Sequence, residues 1–354
     1  MREANMKSYQ QPHSIVPGLV GVRSTKWWMC RNPFKGLYCW LMTMMTMMIL
    51  ILWYFCPRLI HFGLGLAYIY FNGSEVDHHI CPSLRGRLGN NMFQYAAAYG
   101  LASERNISVL LSKDTLIARY FHVDADIHEY ASYICSAFPA FQGPPWGIYN
   151  VSFLAGISRN HSVRLEGYFQ SYKWFDHVRF ALKEQFLSFT GETKAKAMYE
   201  VQNVKNDYKT KLNVHTVTTI GVHVRRGDKL EESEMKDGNR AAPREYFLKA
   251  MDYFTSKYNS CVFIVRGDDQ PWATENLPSK YNVVYLSLSF TPDVDLAILS
   301  MCDHMIMSAG TYSWWAAYLN GGEVVYYQEW VTPGSDLYKN YRQDDYFLPE
   351  WTPM

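Results

Sequence analysis

In GVHVRRGDKL, residues 221–230, a β-branched run gives way to Arg225 and Arg226 side by side, then to Gly227 and Asp228. Arginine carries a permanent charge on a planar fork, which suits two-pronged binding of a phosphate. At the C-terminal end of a strand, the pair would face a cleft in which a diphosphate could lie. Two plainer readings compete. One is a solvated charge cluster of the arginines with Asp228, Glu231 and Glu232. The other is the adhesion tripeptide Arg226-Gly227-Asp228. But Arg-Gly-Asp recurs at 266–268, again directly after an apolar run, so both copies read as strand-to-loop turns.

SAGTYSWWAAYL, 308–319, places Ser308 at a strand end, Gly310 in a tight turn and Thr311 at a helix start. Helix-end amides and hydroxyls make a phosphate cradle, although an ordinary capped helix would look the same. GRLGNN, 86–91, offers Gly89 for close backbone approach to a ligand and Asn90 as a hydrogen-bonding side chain; a plain turn is the alternative. Asp124-Ala125-Asp126 and Asp293-Val294-Asp295 invite a divalent metal. Asp293 and Asp295, however, fall in the first turn of a helix, where acids suit the macrodipole. No metal is expected. Gly-x-Ser-x-Gly, His-Glu-x-x-His and Cys-x-x-Cys are all missing from the sequence, which removes the usual footholds for a serine hydrolase or a zinc enzyme.

These residues need a frame to hold them. β-type runs recur at 218–224, 261–265, 282–286, 304–308 and 323–327, with helical patterns at 243–258, 291–302 and 311–319 between them. Such alternation predicts a parallel, doubly wound sheet whose ligands sit beyond the carboxyl ends of the strands. Arg225, Arg226, Gly267–Asp269 and Ser308–Thr311 all follow strands and so gather on that edge. Upstream, residues 85–106 read as a loop running into an Ala-rich helix, followed by a strand at 107–112. A second α/β domain is expected there.

The totals narrow the class. The chain has 354 residues and Lys+Arg 34 against Asp+Glu 33, so it shows no basic excess for nucleic acid. The 22 residues of 36–57 carry no charge, and six basic residues but one acid precede them. That predicts a single membrane anchor with the N-terminus cytoplasmic and the remainder on the far side. The expected organisation is a cytoplasmic tail at 1–35, an anchor at 36–57, a stem at 58–81, an N-terminal α/β domain at 82–215, a C-terminal α/β domain at 216–330 and a tail at 331–354. Asn-x-Ser sequons at Asn72, Asn106, Asn150 and Asn160 all follow the anchor. Cys81, Cys135, Cys261 and Cys302 allow up to two disulfides in three pairings, or buried free thiols.

Together the motifs resemble a known family. HVRRGDK (223–229) is similar to the arginine motif shared by alpha-1,2-, alpha-1,6- and protein O-fucosyltransferases. GRLGNNMFQYAAAYGLA (86–102), LEGYFQSYKWF (165–175) and SAGTYSWWAAYLNGG (308–322) match the alpha-1,2 family specifically, in the same order. The resemblance implies two Rossmann-like domains facing a cleft (GT-B-like), and inverting, metal-independent transfer of fucose from GDP-fucose to the 2-hydroxyl of a galactose-terminated glycan. GDP-fucose would be a substrate, with no cofactor. Arg225 would bind the diphosphate and Arg226 assist. His223 would support the loop, Ser308, Gly310 and Thr311 would line the phosphates, and Asp268 or Asp269 would meet guanine. Gly89 and Asn90 would approach from the facing domain. Asp228, Glu231 and Glu232 stand as candidate bases. Anchor, stem and sequons suit a type II Golgi membrane protein with a lumenal catalytic part. A protein O-fucosyltransferase and a tethered sugar-binding or adhesion protein are the alternatives. The family usually has Gln at Asn91, a conservative change. It also usually has a Ser-Asp-Asp or similar turn at 266–269 and an aromatic residue at Lys229, two departures that bear on the acceptor side.

Overall fold

The computed structural model describes residues 40–51, 54, 63, 78–157 and 161–354. The chain divides into two compact units, residues 1–58 and 59–354. In the first, residues 40–51 are helical with exposed side chains. No helix among the described residues is long and apolar enough to cross a membrane. The expected anchor lies partly outside the described residues, as do Asn72 and Asn160.

The second unit contains two parallel sheets. Strands β1 (His79–Pro82), β2 (Ser108–Ser112), β3 (Asp126–His128), β4 (Ala140–Gln142) and β5 (Val163–Glu166) form the first, in the order β3-β2-β1-β5-β4. Strands β6 (Thr218–Val224), β7 (Cys261–Gly267), β8 (Val283–Tyr285), β9 (His304–Met307), β10 (Val324–Tyr326) and β11 (Thr352–Pro353) form the second, in the order β11-β10-β9-β6-β7-β8. Read from β8, the second sheet has the strand order of a Rossmann fold. Its central strand β6 buries Ile220, Val222 and Val224, as a strand covered by helices on both faces must. The longer helices are α1 (Leu88–Ser103), α2 (Thr193–Leu212), α3 (Arg244–Lys257), α4 (Pro292–Ser300) and α5 (Thr311–Asn320).

Two boundaries shift from the sequence reading. Residues 79–81, expected in the stem, lie in β1 at the centre of the first sheet, and Cys81 is disulfide-bonded to Cys135. Residues 331–354, expected to be a tail, supply β11 and bury Tyr346, Phe347 and Trp351. Trp314 on α5 donates its indole N–H to the carbonyl of Tyr346 at 2.7 Å. A two-residue strand leaves no hydrophobic run to read, which is why this segment looks like a tail in the sequence. Cys261 and Cys302 are buried free thiols. Asn106 and Asn150 are both exposed.

One hydrophobic core runs through both sheets. Its junction is the crossing of α1 and α5, where Phe93 lies 4.5 Å from Trp314 and 5.1 Å from Trp315, ring to ring. Gly89 permits that crossing: a Cβ there would stand 2.5 Å from the backbone nitrogen of Tyr312.

Candidate active site

In an open parallel sheet, a crevice forms outside the carboxyl ends of the two neighbouring strands where strand order reverses. The second sheet reverses between β6 and β9; in the first the strand order breaks between β1 and β5, neighbours in space but distant in sequence. The loops after these four strands carry Arg225–Asp228, Gly310–Thr311, Gly86–Asn90 and Tyr168–Gln170. They enclose two adjoining cavities. The larger, about 510 Å³, is lined by His223, Arg266, Asp268, Phe290, Asp295 and Tyr312 among others. The smaller, about 420 Å³, is lined by Asn90, Trp146, Tyr168, Asp228, Glu234 and Asp237 among others. Arg87, Arg225 and Thr311 border both.

Arg225 is held from behind. Its backbone N–H donates to the fully buried Ser308 hydroxyl at 3.1 Å. Gly310, at φ +91°, lies beside its guanidinium, 3.3 Å from where a Cβ would point. Arg225 donates through Nε and Nη2 to the two oxygens of Asp228, at 3.1 and 2.6 Å. Arg87 Nη1 approaches the same carboxylate at 3.5 Å. Partial burial would raise the Asp228 pKa. The hydrogen bond and charge of Arg225, with Lys229 and Arg87 behind it, outweigh that and hold it below the usual carboxylate range. His223 is buried, with its ring 5.3 Å from that of Tyr312. Burial, then the charges of Arg225 and Arg266, push its pKa down to about 3, so the ring is neutral at cellular pH.

Thr311 and Asn90 join the two sheets' loops. The Thr311 hydroxyl donates to Asn90 Oδ1 at 2.9 Å, and Gln170 Nε2 donates to the same oxygen at 3.1 Å. Asp268 lines the larger cavity while accepting from the backbone N–H groups of Arg226 (2.8 Å) and Gly227 (3.3 Å).

Asn90 and Gly310, expected on the donor side, line only the smaller cavity. Five expected site residues line neither: Ser308, fully buried behind Arg225, and four others. Arg226 turns away from both cavities. Its guanidinium lies 4.0 Å over the Trp272 ring, and Nη1 donates to the Ala242 carbonyl at 3.3 Å. Adjacent side chains leaving an extended strand point in opposite directions, so only one arginine of a pair reaches the cleft. Asp269 caps the short helix Gln270–Asn276 through the Trp272 N–H at 3.1 Å and lines neither cavity. Glu231 and Glu232 open the short helix Glu232–Asp237, exposed and outside both cavities.

The Asp-x-Asp acids also have local partners. Asp293 accepts from the Thr193 hydroxyl at 2.5 Å. Asp126 meets His79 Nε2 at 3.0 Å and borders a separate cavity that Asp124 also lines. No cluster of three metal-ligating side chains occurs among the described residues.

Sequence reasoning missed Arg87, Tyr168, Gln170, Glu234, Asp237 and Arg266, and read Asp295 only as half of a candidate metal pair. Arg266 is 3% exposed and donates through Nε to Asp295 Oδ1 at 2.8 Å. Burial raises the Asp295 pKa despite that arginine. Arg87 sits inside the GRLGNN block, and Tyr168 and Gln170 inside LEGYFQSYKWF, so those blocks held the signal. The others needed the fold.

Residues 73–354 match the model of glycosyl transferase family 11, and the chain belongs to that family. Galactoside alpha-(1,2)-fucosyltransferase 2 of Rattus norvegicus is 32% identical over 278 residues, covering 75% of this chain and 74% of that protein. The protein of the same name in Pongo pygmaeus is 29% identical, covering 75% of this chain and 76% of that one. Among solved structures, fucosyltransferase NodZ from Bradyrhizobium aligns with a TM-score of 0.44 at 11% identity, over 68% of this chain and 93% of that one.

Proposed function

We propose that this chain transfers L-fucose from GDP-fucose to the 2-hydroxyl of a terminal galactose, with inversion and without an obligatory metal. The observation that carries the reading is the position of Arg225. It borders both cavities, backed by a buried hydroxyl and a left-handed glycine. GDP-fucose would occupy the larger cavity and the acceptor glycan the smaller, meeting at Arg225.

Guanine presents two N–H donors on one edge, and a carboxylate matches them. Asp295 and Asp268 both line the larger cavity and both can offer an oxygen. Arg266 engages the Asp295 Oδ1 through both Nε and Nη2, which leaves Oδ2 for a ligand in the cavity that Asp295 lines. Asp268 is engaged by the arginine-loop N–H groups through Oδ1 only, so its Oδ2 is equally open to the cavity it lines.

As the galactose oxygen bonds to the anomeric carbon, the bond from that carbon to the diphosphate oxygen breaks and its electron pair leaves with GDP. Arg225 meets the charge that develops there; losing one such preorganised donor costs roughly 10²–10³-fold in rate. The diphosphate competes with Asp228 for that guanidinium. Turning Arg225 toward the donor frees Asp228, on the acceptor cavity, to take the hydroxyl proton, a contribution of roughly 10²–10⁴-fold where it operates. The uncharged run at 36–57 supports a type II signal-anchor in the Golgi membrane with the catalytic part lumenal, carrying glycans at the sequons Asn106 and Asn150.

The test uses membranes from cells expressing the full chain, with labelled GDP-fucose and lactose, with and without EDTA. The expected product is trisaccharide labelled in an alpha-1,2 linkage, its yield unchanged by EDTA. Label on protein serine or threonine but not on lactose would overturn the acceptor assignment. Loss of activity in EDTA would overturn metal independence.

A further inference from the structure

We infer that Tyr168 is the platform on which the acceptor sugar rests and that it sets the preference for galactosides; this builds on the fucosyl-transfer reading above. Tyr168 follows β5 and lines the smaller cavity together with Arg225 and Asp228, but not the larger one. It is 41% exposed, although the turn that bears it is tightly constrained. On one side, Gly167 stands at φ +141° and its carbonyl accepts from Gln94 Nε2 at 3.1 Å. On the other, Phe169 adopts φ +51°, a left-handed conformation rare for a bulky side chain, with its ring buried 5.6 Å from that of Trp174. Next, the backbone N–H of Gln170 donates to the Trp146 carbonyl at 2.7 Å, and its side chain donates to Asn90 at 3.1 Å. Strain of this kind persists only where the surroundings over-determine it, and it gathers at sites that hold a ligand.

The result is an uncovered aromatic side chain carried on a constrained turn, in the cavity where an acceptor hydroxyl must reach Asp228. The axial 4-hydroxyl of β-galactose leaves one face of its ring carrying only C–H groups, which stacks on an aromatic side chain; the equatorial hydroxyl of glucose breaks up that face. Asp237, exposed on the same cavity, is available to accept from the sugar's remaining hydroxyls.

The test compares the full-length, detergent-solubilised enzyme with Tyr168→Phe and Tyr168→Ala. Lactose and cellobiose serve as acceptors, since they differ only at C4 of the terminal sugar. Acceptor-free hydrolysis of GDP-fucose is the internal control. Tyr168→Ala is expected to raise the KM for lactose about 30-fold, as truncating a central aromatic anchor does. It should also erase the preference for lactose over cellobiose, with the KM for GDP-fucose and the hydrolysis rate unchanged. Tyr168→Phe should behave as wild type. An unchanged lactose KM in Tyr168→Ala, equal damage in Tyr168→Phe, or a parallel fall in hydrolysis would each overturn the platform while leaving the transferase reading intact. A wild-type enzyme that neither hydrolyses the donor nor labels a galactoside would sink both.

Discussion

The six-stranded sheet reaches the cleft through β6 and β7, each seven residues long and largely buried, and the four-residue β9, whereas the five-stranded sheet reaches it only through β1 and β5, each four residues long. The difference changes how each half holds its loops. Beyond β6 the ladder itself carries rigidity to the loop, and one buried hydroxyl, Ser308, fixes the Arg225 backbone. Beyond β1 and β5, buried amide side chains take over that role. Asn91 Nδ2 donates to the carbonyls of Arg85, Gly86 and Arg87 at 3.1, 3.3 and 3.2 Å. Gln94 accepts from the Arg85 N–H at 2.8 Å and donates to the Gly167 carbonyl. One half positions charge by its strands; the other positions Arg87 and Tyr168 by side-chain hydrogen bonds.

The adjacent arginines give the largest test of the first half of that contrast. Arg225→Ala should lower kcat/KM about 10³-fold with the fold intact, since of the pair only this arginine borders the two cavities. Arg226→Ala should cut kcat/KM by less than about tenfold and appear instead as a lower melting temperature, because it removes a stack on Trp272 and a contact with Ala242. Steady-state kinetics alongside thermal melts separate the two. Equal kinetic damage from both would mean that the ladder does not sort them.

Gln94→Leu tests the other half. It keeps the size but removes two part-buried hydrogen bonds, to the Arg85 N–H and the Gly167 carbonyl, each worth about 0.5–1.5 kcal/mol net, so a loss of about 1–2 kcal/mol is expected. The KM for lactose should rise, because this one amide tethers both the Arg87 loop and the Tyr168 turn. Denaturant titration with acceptor kinetics checks it. Stability lost without any change in acceptor KM would show that these loops hold their shape unaided.

The same contrast explains what can be read in advance. Long strands buried on both faces announce themselves as continuous apolar runs, so β6, β7 and the helices between them are legible almost to the residue, and Arg225 with them. The sequence does not say which of two neighbouring side chains faces the cleft, so Arg226 and Asp269 read as members of a site that the strand geometry denies them. Glu231 and Glu232 follow the motif closely in sequence but fall on a helix start outside the cavity. Glu234 and Asp237, later on that same helix, come back to the acceptor side. The Tyr168 turn depends on a left-handed Phe169 and on hydrogen bonds from Gln94 and to Asn90 that span 73 and 80 positions of chain. No local pattern encodes those.

His223 offers the gentlest probe of the strand-held half, because it is buried in β6 with Nδ1 unpartnered. Its pKa falls from 6.5 in the unfolded chain to about 3 in the fold, so the unfolded state binds the extra proton between those values. The neutral ring's contribution is therefore complete above pH 6.5 and is lost as pH falls toward 3, by about 2 kcal/mol at about pH 5. His223→Gln cannot take up that proton. Its melting temperature should sit below wild type near neutral pH, and the gap should narrow as the pH drops below 6.5 toward 3. A constant gap would mean that water reaches the ring and that the end of β6 is looser than its ladder implies.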